Sequence, residues 1–156
     1  QAYSEAYKIK SYIFRFVSIL GPRYSHGHVL DFYNKLNKNK KILNVLGDGN
    51  QKKSYLHVYD CIDAIFKALK YKNKSHVSIY NLGNKNYISV KQSIKIITDN
   101  LKLKPKLKFQ KQKRGWIGDV PFILLDINKI KKTGWRAKFS IKESIINTLN
   151  YLKKKK

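Results

Sequence analysis

Several features that would narrow the class of this protein are scarce in its 156 residues. A single cysteine, Cys61, excludes an intrachain disulfide and fits a reducing compartment, so we expect a cytoplasmic protein. No apolar run approaches the ~20 residues that a membrane-spanning helix needs, and the first residues do not predict a signal peptide. No internal repeat or proline- and glycine-rich linker divides the chain. The sequence therefore predicts one domain of ordinary globular composition.

Acidic residues are also scarce, since nine of them stand against 34 basic residues and give a formal net charge of +25. A chain this basic can bind nucleic acid or an anionic surface. Only four of the basic residues are arginine, the usual reader of guanine edges and the better clamp for phosphate. The lysines are spread along the chain, and no helix-turn-helix or zinc motif accompanies them. We favour a lysine-rich surface, and a basic nucleic-acid-binding module remains the alternative from another class.

Helix and strand patterns alternate along the chain, which predicts an α/β fold. Residues 1–10 indicate the last turns of a helix that is already under way, so we expect a piece of a longer protein. The predicted strands cover residues 12–17, 42–46, 54–58 and 77–83, and the first is an apolar run of buried-strand length. The helices that follow are predicted across 29–36 and from residues 60, 89 and 140 onward.

Three of these helix starts carry a recognisable N-cap. Ser89 with Gln92, and Ser140 with Glu143, both fit the capping box, in which the two side chains satisfy each other's backbone N–H groups. Asp60 stands before apolar residues at helical spacing, so it is predicted to be the N-cap of its helix.

Four segments carry a family signature. Residues 14–23, FRFVSILGPR, resemble the LRFxNxYGPR strand and loop of the extended short-chain dehydrogenases/reductases. Residues 46–60, LGDGNQKKSYLHVYD, resemble their xGDGxQxRxFxHVxD motif. Residues 80–83, YNLG, and the later Ser89-Val90 are similar to YNxG…xSV, and residues 114–140 resemble RxGD…GWxPxxSL. All four occur in the family order, so the chain resembles the NAD-dependent epimerase/dehydratase family of nucleotide-sugar enzymes.

That resemblance implies the C-terminal part of an extended Rossmann-type short-chain dehydrogenase/reductase fold. Residues 1–24 would hold the end of the catalytic helix and a late strand of the Rossmann domain. Residues 25–156 would form mostly the small mixed α/β substrate-binding domain, with interleaved Rossmann strands. The full-length parent would be an isomerase or lyase acting on a nucleotide-diphosphate sugar with bound NAD or NADP, and a homodimer. We expect an open sheet edge and marginal stability where the N-terminal NAD-binding half is absent.

The residues that would carry the family's chemistry are absent from this sequence. Cofactor phosphates are held by glycines in the pattern GxxGxxG at a strand-to-helix turn, and no such segment occurs here. Catalysis also needs a tyrosine with a lysine four residues on, because the lysine charge stabilises the phenolate. Tyr151 and Lys155 have that spacing but lie in the terminal lysine run, so we discard them. We expect no catalytic residue, no tightly bound NAD and no activity in this chain alone; a non-catalytic nucleotide-sugar-binding protein is the third reading.

The resemblance also implies roles in substrate binding. Lys53 and Arg114 occupy positions at which the family contacts the diphosphate, although Lys53 replaces the usual arginine and offers a point charge in place of a planar fork. Asp119 would hold the Arg114 loop in place or contact a ribose hydroxyl. Ser18 stands where many members have an asparagine that contacts the substrate, and Val17 and Ser18 would lie on the nicotinamide side.

A loop and helix start at residues 24–29 would meet the base and phosphates of the nucleotide. Gly27 and Val29 are expected to contact the nucleotide through their backbones, and His28 through its ring, since free N–H groups at a helix start attract anions. His26 and His28 lie two residues apart, but we predict no metal site because no suitable third ligand stands nearby.

Overall fold

The structure, a computed structural model, describes residues 1–111, 120 and 122–155. Within these residues the helices are α1 Ala2–Tyr7, α2 His28–Lys38, α3 Val58–Lys70, α4 Val90–Leu101, α5 Asn128–Lys131 and α6 Ile141–Lys154. The strands are β1 Ser11–Phe16, β2 Ser18–Leu20, β3 Ile42–Val45, β4 Lys52–Lys53, β5 Tyr55–His57, β6 Val77–Leu82, β7 Ile88–Ser89, β8 Lys106–Phe109 and β9 Phe122–Ile123. No helix among the described residues is long and apolar enough to cross a membrane.

The strands pair mostly in parallel. Strands β1 and β6 are parallel over six residues, β2 pairs with β5, and β3 pairs with β8. Strand β4 lies between β7, which is antiparallel to it, and β9, which is parallel to it. Parallel strands need crossover connections, and the helices of this chain supply them between β1 and β6 and between β3 and β8. The predicted α/β class is therefore confirmed.

The strand predicted across residues 12–17 is observed as β1, and a second strand with a different partner, β2, follows it directly. Strand β1 ends at Phe16, and the N–H of Val17 donates to the Leu82 carbonyl at 3.1 Å as the last link with β6. From Ser18 onward the chain pairs with β5 instead. A continuous apolar run cannot reveal this exchange, because both strands are apolar and only the partner changes.

Two buried clusters form on opposite sides of the β2–β5 pair. The first core packs α2, α4 and α6 around β3, and its buried residues are Leu20, Val29, Phe32, Tyr33, Leu36, Leu43, Val45, Tyr55, Ile94, Ile97, Ile141, Ile145, Leu149 and Leu152. The second core packs α3 and α5 on β6, and its buried residues are Val17, Leu56, Cys61, Ala64, Ala68, Tyr80, Leu82, Ile127, Ile130 and Trp135. Neighbouring residues Tyr55 and Leu56 belong to different cores, since alternate side chains of a strand point to opposite faces.

The helix predicted to start at Asp60 begins two residues earlier, and the predicted N-cap is wrong. Helix α3 starts at Val58, and His57 is its N-cap, with Nδ1 accepting a first-turn backbone N–H at 3.2 Å. Asp60 is only 1 % exposed. Its carboxylate accepts the backbone N–H groups of Lys138 and Phe139, each at 3.0 Å. The carboxylate therefore ties α3 to the chain before α6 instead of capping its own helix.

Both predicted capping boxes are confirmed. The Ser89 hydroxyl accepts the Gln92 N–H at 3.2 Å while the Gln92 side chain accepts the Ser89 N–H at 2.7 Å. Ser140 and Glu143 make the same exchange at 3.2 and 2.8 Å. These contacts satisfy N–H groups that a helix leaves unpaired at its start, and they fix where α4 and α6 begin.

The outer side of the second core is apolar and exposed. One face of α3 presents Tyr59, Ile62, Phe66 and Leu69 to solvent. Strand β1 also exposes Ile13 and Phe16, and within the described residues it is hydrogen-bonded only to β6. The expected open sheet edge is therefore present beside an uncovered helix face.

Candidate functional site

A cleft of ≈ 320 Å³ lies beside the start of α2. Its walls come from the β2 strand, the loop and first turns of α2, the segment from β3 to β5, and the first residue of α4. The lining residues are Ser18, Tyr24, Gly27, His28, Asp31, Phe32, Leu46, Gln51, Lys53, Tyr55 and Val90. The cleft therefore opens where a helix N-terminus, a strand end and a glycine turn meet.

Glycine is required at the start of α2. Gly27 is the N-cap, with φ 107° and ψ −179°, a conformation that is essentially confined to glycine. The Tyr24 hydroxyl lies where a Cβ of residue 27 would be, and it accepts the backbone N–H of Val29. Burial raises the pKa of Tyr24 to about 12, an effect that the Val29 hydrogen bond partly offsets, so the phenol is neutral. The helix N-terminus thus faces the cleft with a neutral hydroxyl against it.

His28 is held as a neutral ring. Its Nε2 lies 2.6 Å from the Ser93 hydroxyl, and its Nδ1 lies 3.4 Å from the Tyr55 hydroxyl. Burial, and secondarily the positive charge of Lys53, lower the pKa of His28 to about 4. A neutral imidazole contributes hydrogen bonds and a ring face to the cleft, and it brings no charge to an anion at neutral pH.

Within the described part of the chain, Lys53 supplies the positive charge of the cleft. This residue is half-buried in β4, and its charge acts on the ring of His28, which places the two side chains on one wall. Ser18, at the start of β2, is exposed and lies in register with Tyr55 of β5. A lysine charge beside a helix N-terminus makes a site that favours anions. Asp31 also lines the cleft, but its carboxylate pairs with Lys35 at 2.7 Å.

Four of the residues assigned to substrate binding line one cleft, although they are spread over 36 positions of the chain. Ser18, Gly27, His28 and Lys53 all face this space. Position 53 reaches it because the GDG turn brings the chain back beside the start of α4. Gly49 accepts the Lys91 N–H at 3.0 Å in that turn.

The remaining assigned residues are not among the described residues that line the cleft. The Val17 side chain is buried in the second core, and the Val29 side chain is buried in the first. The backbone N–H of Val29 donates to the Tyr24 hydroxyl, and a backbone contact between Val29 and a nucleotide stays a prediction. Arg114 and Asp119 lie outside the described residues.

Comparison with known proteins settles the family. The model of the NAD-dependent epimerase/dehydratase family matches residues 1–83, more than half of the chain. The chain belongs to that family. A Methanocaldococcus jannaschii protein named as a candidate UDP-glucose 4-epimerase is 30% identical over 155 residues, covering 97% of this chain and 48% of that protein. The human dTDP-D-glucose 4,6-dehydratase is 28% identical over 160 residues, covering 97% of this chain and 44% of its own.

Solved structures confirm the extended Rossmann-type fold. A crystal structure of UDP-galactose 4-epimerase superposes with a TM-score of 0.86 at 29% identity, covering 99% of this chain and 49% of that one. The Thermotoga maritima UDP-glucose 4-epimerase, solved with UDP-glucose, gives a TM-score of 0.83 at 23% identity, again over 99% and 49%. At that identity the second match supports the fold alone. The chain spans about half the length of these epimerase/dehydratase relatives.

The family's Tyr-x-x-x-Lys spacing occurs a second time, at Tyr87 and Lys91, which the motif analysis overlooked. In catalytic pairs the two residues lie one turn apart on a helix. Here Tyr87 precedes β7 and packs edge-on against Phe122, while Lys91 lies in α4 and donates to the Asn50 side chain at 3.0 Å. The spacing therefore does not form a helical pair.

The sequence analysis also missed several lining residues. Gln51 stands within the GDGxQ segment that identified the family, yet no role was assigned to it. Tyr24 and Tyr55 were read as parts of a loop and a strand. Their pairing with His28 and Val29 depends on contacts between distant segments, which no local pattern reveals. Among the described residues there is no group of three or more His, Cys, Asp or Glu side chains that could hold a metal ion.

Proposed function

We propose that this chain is the nucleotide-sugar-binding part of an NAD-dependent epimerase/dehydratase, and that the cleft at the start of α2 receives the nucleotide-diphosphate sugar. The observation that carries the proposal is the meeting of Ser18, Gly27, His28 and Lys53 in one cleft. The family motifs alone predict substrate binding at these four positions. Binding of one ligand is the simplest reason for these four residues to line the same cleft.

The chemistry of the cleft suits a nucleotide diphosphate. Its volume of ≈ 320 Å³ lies at the lower end of the range for small-molecule sites. Lys53 and the N-terminus of α2 offer positive charge for the diphosphate. Phe32, Leu46 and Val90 supply apolar walls on which a base or sugar ring can pack. The hydroxyl of Ser18 and the neutral ring of His28 remain for hydrogen bonds to the sugar or ribose.

Residues outside the described part of the chain complete the proposed site. Arg114 would add the planar fork that Lys53 lacks, and Asp119 would position that loop or contact a ribose hydroxyl.

Val17 and Ser18 would lie toward the nicotinamide. Residues 1–24 then belong with the Rossmann portion, and residues 25–156 form mostly the substrate domain with interleaved Rossmann strands.

In the whole protein we propose nucleotide-sugar epimerisation or dehydration with NAD or NADP. The cofactor would take a hydride from the sugar and usually return it. This chain's residues would bind and orient the substrate, because its sequence holds no GxxGxxG segment and its two Tyr-x-x-x-Lys spacings lie at the start of α4 and in the terminal lysine run. We assign no catalytic residue within residues 1–156, and we expect a homodimeric parent in the cytoplasm.

The test is isothermal titration of the chain with UDP, UDP-glucose and a short DNA duplex at two salt concentrations. We expect saturable binding of UDP and UDP-glucose, weakened about tenfold or more by Lys53→Ala, because a charge-assisted contact to phosphate is lost. Arg114→Ala should weaken the same binding. Lys104→Ala removes an exposed lysine outside the cleft lining and should leave the affinity unchanged.

Two results would redirect the proposal. DNA binding with a steep salt dependence and no heat from UDP would favour the basic nucleic-acid module, to which the net charge of +25 also points. UDP-sugar binding by a parent protein that has no Rossmann half would instead favour a non-catalytic nucleotide-sugar-binding protein.

A further inference from the structure

Among the described residues, the side chain of Gln51 has no hydrogen-bond partner in the cleft. Gln51 lines the cleft and is only 5 % exposed. Neither Nε2 nor Oε1 of its amide has a hydrogen-bond partner among the residues that the structure describes. A buried amide without partners loses its hydration and gains nothing in return, so such groups are uncommon in folded proteins. An amide of this kind in the wall of a cleft can be satisfied by a ligand that offers the missing partners.

The backbone of Gln51 is firmly placed. Its carbonyl accepts the N–H of Val90 at 3.1 Å, one residue after the capping box that starts α4. The preceding Asn50 is held by Asp48, whose carboxylate accepts both the backbone N–H at 2.9 Å and the side-chain amide at 3.0 Å. The unpaired amide therefore extends from a fixed point, and it is not a loose surface group.

Gln51 and Lys53 lie on the same side of the chain. Alternate residues of an extended segment share a face, and both residues line the cleft while the intervening Lys52 is exposed. Lys53 can meet only an acceptor such as phosphate. An amide offers a donor and an acceptor side by side, so its complement is a hydroxyl or an imide, which can both donate and accept. A nucleotide-diphosphate sugar carries such groups on its base, ribose and sugar, on either side of the phosphates.

We propose that the Gln51 amide is a specificity-determining group of the cleft, which pairs through Nε2 and Oε1 with a hydroxyl or imide of the nucleotide-sugar next to the diphosphate held by Lys53. This inference rests on the proposed function and goes beyond it, because it adds Gln51 to the residues that recognise the substrate. The inference also predicts how the Gln51 amide affects the stability of the ligand-free protein. The amide serves the ligand and not the fold, so its removal does not weaken the ligand-free protein.

The test is to measure binding and stability on the same variants of this chain. Gln51→Met replaces the amide by an apolar group of similar length, and Gln110→Met makes the same change at an exposed position outside the cleft. Affinity for UDP-glucose, UDP and UMP is measured by calorimetry, and thermal unfolding is recorded without ligand. For Gln51→Met we expect about tenfold weaker binding, as follows from the loss of one or two hydrogen bonds, with an unfolding temperature equal to or above wild type. Gln110→Met should match wild type in both.

The three ligands locate the paired group. Weaker binding of all three places the amide on the nucleoside, and weaker binding of UDP-glucose alone places it on the sugar; both results support the inference. Unchanged affinity for all three in Gln51→Met would overturn it while the proposed function stands. A clearly lower unfolding temperature of ligand-free Gln51→Met would also overturn it, since the amide would then be structural. If wild type bound none of them, the proposed function would fail and this inference with it.

Discussion

The two cores of this protein differ in how completely they are covered. The first core is enclosed by α2, α4 and α6, and two capping boxes fix the starts of two of those helices. The second core lies under α3 and α5, but the outer face of α3 and the free side of β1 remain apolar and exposed. The cleft lies at the first core, beside the covered helices. The side of the first core, with the cleft, is thus self-contained, and the side of the second core is not.

This difference in exposure indicates which surface of the chain packs against further protein. Exposed apolar residues scattered singly are normal, but a stripe on one helix face next to an open strand marks a surface that packs against further protein. The relatives are about twice as long as this chain, so they contain additional protein that can cover such a surface. The first core needs no such cover, so the described walls of the cleft can form without that additional protein.

The largest expected difference in stability is between two leucine-to-alanine substitutions, one in the first core and one on the open face of α3. Leu36 of α2 is 1 % exposed in the first core, whereas Leu69 of α3 is 47 % exposed on the open face. Leu36→Ala should lower the free energy of unfolding by about 2–5 kcal/mol, because it leaves a cavity. Leu69→Ala should lower it by only about 0.5 kcal/mol. Urea denaturation of both variants measures the difference, and equal losses would mean that the α3 face is covered in solution.

Asp60 tests how the second core holds together despite its open side. The Asp60→Ala variant leaves two backbone N–H groups, those of Lys138 and Phe139, without their acceptor. We expect a loss of about 3 kcal/mol in the free energy of unfolding, since a charged acceptor with two hydrogen bonds is removed. Asp99→Ala is the control, because the Asp99 side chain makes an exposed ion pair with Lys95 and should contribute little. A loss as small as that of the control would show that Asp60 does not tie α3 to the chain before α6.

The smallest effect concerns the buried ring of His28, and it depends on pH. Its folded pKa of about 4 lies below the usual 6.5, so between those values the unfolded ring binds a proton and the folded ring does not. Stability is therefore full above pH 6.5 and falls by about 2–3 kcal/mol as the pH drops toward 4. Denaturation across this range should show a shallower decline for His28→Gln than for wild type. The exposed His26→Gln should keep the wild-type slope, and the same slope in all three proteins would contradict a neutral, enclosed His28.

Local patterns predicted the elements whose signals lie within a few residues. The capping boxes at Ser89 and Ser140 are complete in four residues each, so sequence alone placed α4 and α6 correctly. Asp60 misled the prediction because Asp is a good N-cap in general, whereas here its carboxylate finds partners 78 and 79 residues away. Strands β4, β7 and β9 have only two residues each, too few for any periodic signal.

The candidate site was predicted only in part, for the same physical reason. Motif positions identified Ser18, Gly27, His28 and Lys53, but a motif does not give the state of a side chain. The neutrality of His28 follows from its burial with Tyr55 and from the charge of Lys53, which are tertiary facts. The absence of a hydrogen-bond partner for the Gln51 amide among the described residues likewise depends on its surroundings, and the GDGxQ motif does not reveal it.

The most direct test of the central claim is an amide-resolved NMR titration of the isotope-labelled chain with UDP. If the cleft binds the nucleotide diphosphate, saturable shifts will concentrate at Ser18, Gly27, His28, Gln51 and Lys53, and the α3 face will stay unchanged. Shifts confined to the lysine-rich C-terminal turn of α6, or spread over the surface and abolished by salt, would contradict the account and reduce the family resemblance to ancestry.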